Sequence, residues 1–424
     1  MIFRTYDYQY TDEHQKLITR RFVVLKHDDG HLSFTDFHRY IRSRNAVVTS
    51  ASQHGNTRFE FIIPLLNYAF FEEGCNRLCD LTIDIVQRYL NRYVACTLPG
   101  DTESTHRNRS TVERGIRYIM DFLAELIAAL QDQLPFGSDD LYRVVSKQDK
   151  HGHVYTVKVP LFDVRYADGY RRPLNRDIPD KAFHLLFSHI YTHHPELLGL
   201  IILGAFAGLR PAEACNVRRA DSRLGPGIII SKVDGDVAKV SLDLTREIKL
   251  RSDSVNVGFI KKARVQEVPR IFLRAFIQAY DRYTEYLKPQ AYEETYGPFA
   301  VNAQGKAMTY DTYRRRFQQV VAEMIPIYLA SEDPELVYYG KTLQDYPITP
   351  HIFRHWYTVQ LVLSGITDLG TLMYLRGDTS KESSLTYLQN KRELEKQYRK
   401  VNDEMFNYFS WAAVKNHVQL GGNA

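Results

Sequence analysis

One apolar run constrains the fold of this chain more than any other stretch. From Leu197 to Leu209 the sequence reads LLGLIILGAFAGL, with no charged or polar side chain. It is shorter than the roughly 18 residues a membrane span needs, and Gly199, Gly204 and Gly208 break it. A helix apolar on every side must be surrounded, so the run, opened by Pro195 at its first turn, predicts a central helix inside a sizeable core. The 424 residues suffice for two or three domains at roughly 100–200 residues each. Hydrophobic residues at 44% and charged residues at 25% exclude wholesale disorder and a multi-span membrane protein.

A net charge of +5 permits an anionic partner without demanding one. The four cysteines, Cys75, Cys79, Cys96 and Cys215, are too few for a disulfide framework, which points to a reducing, cytoplasmic setting. The start of the chain has no basic stretch followed by an apolar one, so no secretory leader is expected. Cys75 and Cys79 lack a second pair at zinc spacing, and His151 and His153 lack a Cys partner nearby. No metal and no cofactor are therefore expected.

Residues 1–50 mix β-branched and aromatic residues around the turn signal Asp28-Asp29-Gly30, predicting a small strand-containing appendage of unknown role. Residues 51–165 read as helical. An apolar stretch from Arg58 to Phe71 stops at Gly74, and Asp80 or Thr82 opens a helix with Ile83, Val86, Leu90 and Tyr93 on one face. Ser110 and Glu113 have capping-box spacing before a periodic run from Val112 to Leu130. A hairpin turning at Gly152 closes this part. A second domain begins near Arg171-Arg172-Pro173, with helices over 177–189 and 195–208, β-pattern over 227–271, then helices over 272–287 and 313–325.

Four places in that second part carry chemistry when taken together. Arg210 follows the apolar run in GLRPAEACNV, and Glu213, three residues on, can hold its guanidinium. Lys261 stands on a predicted hairpin before Pro269, with Lys262 beside it as the other choice. His351 and Arg354, spaced i and i+3 after Pro350, share one face of a first helical turn. Tyr387 lies in SSLTYLQN. Any one of them, in a chain with 29 Tyr and 15 His, carries little weight.

In order and context these boxes resemble the tyrosine recombinases, or phage integrases. LLGLIILGAFAGLRPAEACNVRRAD resembles the family's apolar helix, GLR turn, glutamate and terminal Asp221. TPHIFRHWYT matches its H-x-x-R-H run at His351, Arg354 and His355, and RGDTSKESSLTYL aligns without gaps to its last box. The resemblance covers residues 171–390, more loosely the helices of 55–135, and none of 1–50. It implies a mainly α fold with a small antiparallel β-sheet, made of a helical core-binding domain and a catalytic domain. One departure stands out: Asp378 occupies the place of a histidine or tryptophan donor, and an ionised carboxylate there repels a phosphate unless turned away or protonated. Lys381, His355 and Trp356 are the possible substitutes.

The implied reaction suits these residue types. Arg210 and Arg354 would neutralise a phosphorane with forked hydrogen bonds, His351 would take or relay the phenol proton, and Lys261 would protonate the leaving 5′ oxygen. Tyr387 would form a 3′-phosphotyrosyl link, so no external energy source is needed. The partner implied is double-stranded DNA bound by a homotetramer on paired sites, away from membranes. Phosphate-contacting candidates are Arg107, Arg109, Arg114 and Arg117 in the first part and Arg314, Arg315 and Arg316 in the second. A helix over 391–412, ahead of the tail to 424, packs on its own domain or on a neighbouring protomer. A DNA-binding regulator without cleavage is the rival reading, ahead of a type IB topoisomerase and a metal-dependent nuclease.

Overall fold

The computed structural model describes residues 1–13, 17–41, 53–102, 105, 107–130, 133–148, 152–164, 178–253, 255–290 and 295–378. The chain divides into two compact units, Met1–Pro173 and Leu174–Ala424, each with its own apolar core.

The first unit opens with a sheet of three antiparallel strands, β1 (Ile2–Thr11), β2 (Leu17–Lys26) and β3 (Leu32–Phe34), in the order β1-β2-β3. Its inner face has no core of its own: Phe3 and Val23 share one with helix α1 (Gln53–Asn67). The Asn67 side chain also bonds the backbone of Phe3 in both directions, at 2.7 and 3.1 Å. After α1 the chain makes one wider turn, Tyr68–Glu72, and leaves it at Gly74, where φ is +76°. Thr82 caps α2 (Ile83–Val94), accepting from the Ile85 amide at 3.3 Å.

Helix α3 (Arg109–Leu130) starts one residue before the expected capping box. Asn108 does the capping, its Oδ1 accepting from the Thr111 amide at 2.8 Å, while Glu113 turns outward to Arg109. A single turn, α4 (Ser138–Leu141), leads into the hairpin β4 (Tyr142–Gln148) and β5 (Val154–Pro160), whose turn contains Gly152 at φ +85°.

In the second unit α5 (Asp180–His193) leads to α6 (Pro195–Ala205), the predicted apolar helix. Every α6 residue from Leu197 to Ala205 is buried. It is enclosed by α5, α8 (Arg270–Leu287), α9 (Tyr310–Leu329) and α11 (His351–Leu363). Gly199 makes the approach of α8 possible, since a Cβ there would lie 2.5 Å from the Tyr283 ring. A short α7 (Pro211–Ala214) follows, then the sheet β6 (Ile228–Val233), β7 (Asp236–Leu244) and β8 (Arg264–Glu267), antiparallel throughout. Helices α10 (Pro334–Asp345) and α12 (Leu369–Arg376), not expected from the sequence, complete the described part. Among the described residues no helix is long and apolar enough to cross a membrane.

Candidate active site

The site begins where α6 ends. Gly208 turns the chain at φ +66°, and a Cβ on it would stand 2.4 Å from the Tyr357 ring, so only glycine fits. Arg210 then serves as the residue before α7, with Pro211 at the helix's first position. Glu213, fully buried, reaches back to the Arg210 amide at 3.2 Å and to its Nη1 at 3.1 Å.

The same carboxylate holds two further segments. It accepts from the Lys261 amide at 3.2 Å and from both terminal nitrogens of Arg264 at 3.1 and 2.9 Å. Burial opposes its ionisation, but the hydrogen bonds and charge of Arg264, with the charge of Arg210, hold its carboxyl below the usual range. Lys261 itself stands in the connection between the paired antiparallel strands β7 and β8, and its side chain is exposed, as is that of Lys262.

Arg354 comes from the first turn of α11 and is 1% exposed. Its Nη1 donates to the Gly208 carbonyl, and its Nη2 donates to Asp378 Oδ1 at 2.7 Å. Arg210 Nη2 donates to that same oxygen at 2.5 Å. Arg376, at the end of α12, donates from Nε to the other oxygen at 2.7 Å and from Nη1 to the Thr358 hydroxyl. One carboxylate thus gathers three guanidinium groups.

Asp378 reaches this place by a helix ending. Gly377, at φ +61°, follows α12. Its amide bonds Tyr374 O and the Asp378 amide bonds Met373 O, each at 3.0 Å, which is the Schellman pattern. A Cβ on Gly377 would lie 2.3 Å from Arg264 Nε, so the glycine also lets that arginine pass. Burial works against ionisation of Asp378, yet the charges of Arg354 and Arg376 outweigh it and keep the carboxyl below its ordinary value.

Electrostatics around the cluster set the other charge states. Burial, with Arg354 and Arg210 close by, pushes His351 down to about 3, so its imidazole is neutral at neutral pH. Burial and the neighbouring Arg210 and Arg376 lower Arg354 to about 9, which leaves it charged there. The His351 ring meets that of His355 edge-on, with centroids 4.7 Å apart. Trp356 stacks on Phe183 at 3.7 Å and donates its indole hydrogen to Asp180 at 2.9 Å, which commits its donor elsewhere.

Of the residues singled out from sequence, Arg210, Glu213 and Arg354 therefore meet at Asp378 or beside it, with His351 within the field of the arginines. Tyr387, Lys381 and the expected 391–412 helix lie outside the described residues. Sequence reasoning missed Arg264 and Arg376. Arg376-Gly377-Asp378 carried a signal for the second, because a helix-ending glycine between opposite charges brings both side chains to one spot.

The basic candidates behave unequally. Arg107 is half-buried and bound to Asp101 at 2.5 and 2.9 Å, with its guanidinium 4.1 Å over the Tyr93 ring, so it braces its own loop. Arg109 pairs with Glu113 at 2.8 Å, and Arg316 with Glu196 at 2.8 Å. Arg114, Arg117, Arg314 and Arg315 are exposed.

No protein-family model matches the chain, and no curated protein matches its sequence. Among solved structures it is similar to the integrase of transposon Tn1549 in complex with transposon right end DNA. The two are 16% identical with a TM-score of 0.47, over 83% of this chain and 92% of that one. It is also similar to the XerH site-specific recombinase bound to its difH substrate, at 13% identity and a TM-score of 0.44, over 81% of this chain and 78% of that one. A lambda integrase dimer bound to a COC′ core site is similar at 13% identity and a TM-score of 0.45, over 83% of this chain and 92% of that one.

Proposed function

We propose that this chain is a site-specific DNA recombinase or integrase of the tyrosine recombinase type, cutting and rejoining duplex DNA through a 3′-phosphotyrosyl link at Tyr387. The observation that carries the reading is the convergence of Arg210 Nη2 and Arg354 Nη2 on one oxygen, at 2.5 and 2.7 Å. Two forked guanidinium groups aimed at a single oxygen are what a non-bridging phosphate oxygen requires as negative charge builds on it.

In this reading the Asp378 carboxylate stands in for that phosphate while DNA is absent. The scissile phosphate takes its place when bound, and Asp378 turns away with Arg376. Neutral His351 accepts the phenol proton as Tyr387 attacks, and Lys261, on its exposed connection, swings in to protonate the departing 5′ oxygen. Exposed Arg114 and Arg117 in the first unit, with Arg314 and Arg315 in the second, contact the DNA backbone and set affinity more than sequence choice. Assembly as a homotetramer on paired DNA sites, away from membranes, belongs to the same reading.

The occupied grip also favours a second reading, a DNA-binding regulator that does not cleave. A DNA half-site nicked next to the cleavage point separates the two. An active enzyme accumulates a covalent protein–DNA adduct that Tyr387→Phe abolishes with DNA affinity nearly unchanged. Tight binding with no adduct from the unmodified chain would establish the regulator instead.

A further inference from the structure

Helix α5 ends at His193 and α6 begins at Pro195, which leaves His194 in the elbow between them at φ −130° and ψ 53°. Helix α9 packs along α5 and is tied to its first turn by the Tyr328 hydroxyl, which donates to the Ala182 carbonyl at 2.7 Å. Two turns further along α5, His189 Nε2 faces Glu323 Oε2 of α9 at 3.1 Å, and His194 Nε2 faces the same oxygen at 2.7 Å. The ligand atoms of these three residues all lie within 4.8 Å of one another. Burial disfavours the charged form of Glu323, but hydrogen bonds from both histidines hold its carboxyl below the usual range, so an anion faces the two rings.

We propose that His189, His194 and Glu323 form a binding site for one divalent transition cation, zinc above all. Two imidazoles and one carboxylate are a donor set that suits zinc, with bonds of about 2.0–2.2 Å and a fourth position left to water. Such bonds at tetrahedral angles put neighbouring donors about 3.3 Å apart. His194 and Glu323 reach this when Glu323, whose side chain is 47% exposed, withdraws by roughly half an ångström, and the two histidine donors, up to 4.8 Å apart, close by about 1.5 Å as the rings turn onto the ion.

A second layer supports the ligands. His194 Nδ1 faces Glu196 Oε1 at 3.6 Å, and Glu196 is itself held by Arg316 Nη2 at 2.8 Å. A carboxylate behind a histidine fixes the ring's orientation and strengthens it as a ligand. The donors stand on helices and at a helix junction, so the three ligands are already neighbours before the ion arrives, and the exposed side of Glu323 is its entry path. Bound there, the cation clips the α5–α6 elbow to α9. This site is separate from the arginine cluster and does not depend on the recombinase reading.

The test uses the full chain, stripped with a chelator, and zinc alone as the probe, followed by calorimetric titration and by the thermal midpoint. One zinc should bind per chain and raise the midpoint, because an ion that binds only the folded state stabilises it. His194→Ala and Glu323→Gln should each weaken binding at least tenfold, and Glu196→Gln about tenfold. His189→Gln keeps an amide that can donate to Glu323, so the packing survives while the zinc-dependent rise of the midpoint disappears. Absence of saturable zinc binding, or affinity unchanged in the folded variants, would overturn the site and leave α5, the elbow and α9 joined by hydrogen bonds alone.

Discussion

Glu213 and Asp378 are both acids buried among arginines, and they hold their partners in different ways. Glu213 accepts from two backbone amides, those of Arg210 and Lys261, as well as from the side chains of Arg210 and Arg264. Its place is therefore written into the chain path at α7 and at the connection before β8. Among the described residues, Asp378 accepts through its carboxylate only from the guanidinium groups of Arg210, Arg354 and Arg376. Any anion of suitable size satisfies those donors equally well. A carboxylate tied to amides is part of the fold, whereas one tied only to side chains can be exchanged for a ligand.

The largest effect should come from Glu213→Ala. It leaves two amides without an acceptor and takes the carboxylate from the Arg264 guanidinium, which keeps Gln266 Oε1 and the Lys262 carbonyl but loses its countercharge, and removal of one partner of such a buried pair costs about 3–5 kcal/mol. Urea unfolding measures the loss, and added inorganic phosphate should not restore it. Asp378→Ala should cost less, about 2–3 kcal/mol, because Arg210 keeps Glu213, Arg354 keeps the Gly208 carbonyl and Arg376 keeps Thr358. Here phosphate should recover most of the loss, and the variant should bind inorganic phosphate more tightly than the natural chain does. If phosphate rescued both variants alike, or neither, the two acids would not differ in the way their partners imply.

Much of this geometry was legible in the sequence where neighbours along the chain make it. The apolar run gave the buried α6, Arg210 and Glu213 met at their expected spacing, and the turn at Gly152 stands where the alternation placed it. Contacts between distant segments were not legible. Arg264 joins Glu213 across 51 residues, and His194 joins Glu323 across 129, and no local period records either. Asp378 was visible as an acid out of place, but its three arginine partners depend on how α6, α11 and α12 pack. The cap of α3 shows a smaller failure of the same kind: Ser110 and Asn108 are both good caps, and the backbone chose the one whose oxygen reaches the Thr111 amide.

His351 offers the smallest and most local reading of the same contrast. Its folded value of about 3 lies below the ordinary 6.5, so between those limits the unfolded chain binds a proton that the folded chain refuses. Stability must then fall as pH drops below about 6.5, by roughly 1 kcal/mol per unit near pH 5.5. Glu213 and Asp378, whose values are depressed from 4.5 and 3.8, lose their contributions only at lower pH and in the same direction. The interval from about 5 to 6 therefore isolates the histidine. His351→Gln, followed by urea unfolding at both ends of that interval, should flatten the slope. Asp378→Ala should keep the slope, because it removes a charge that favours a proton on His351. Equal slopes in the natural chain and His351→Gln would mean that neither burial nor the arginines hold the proton off this ring.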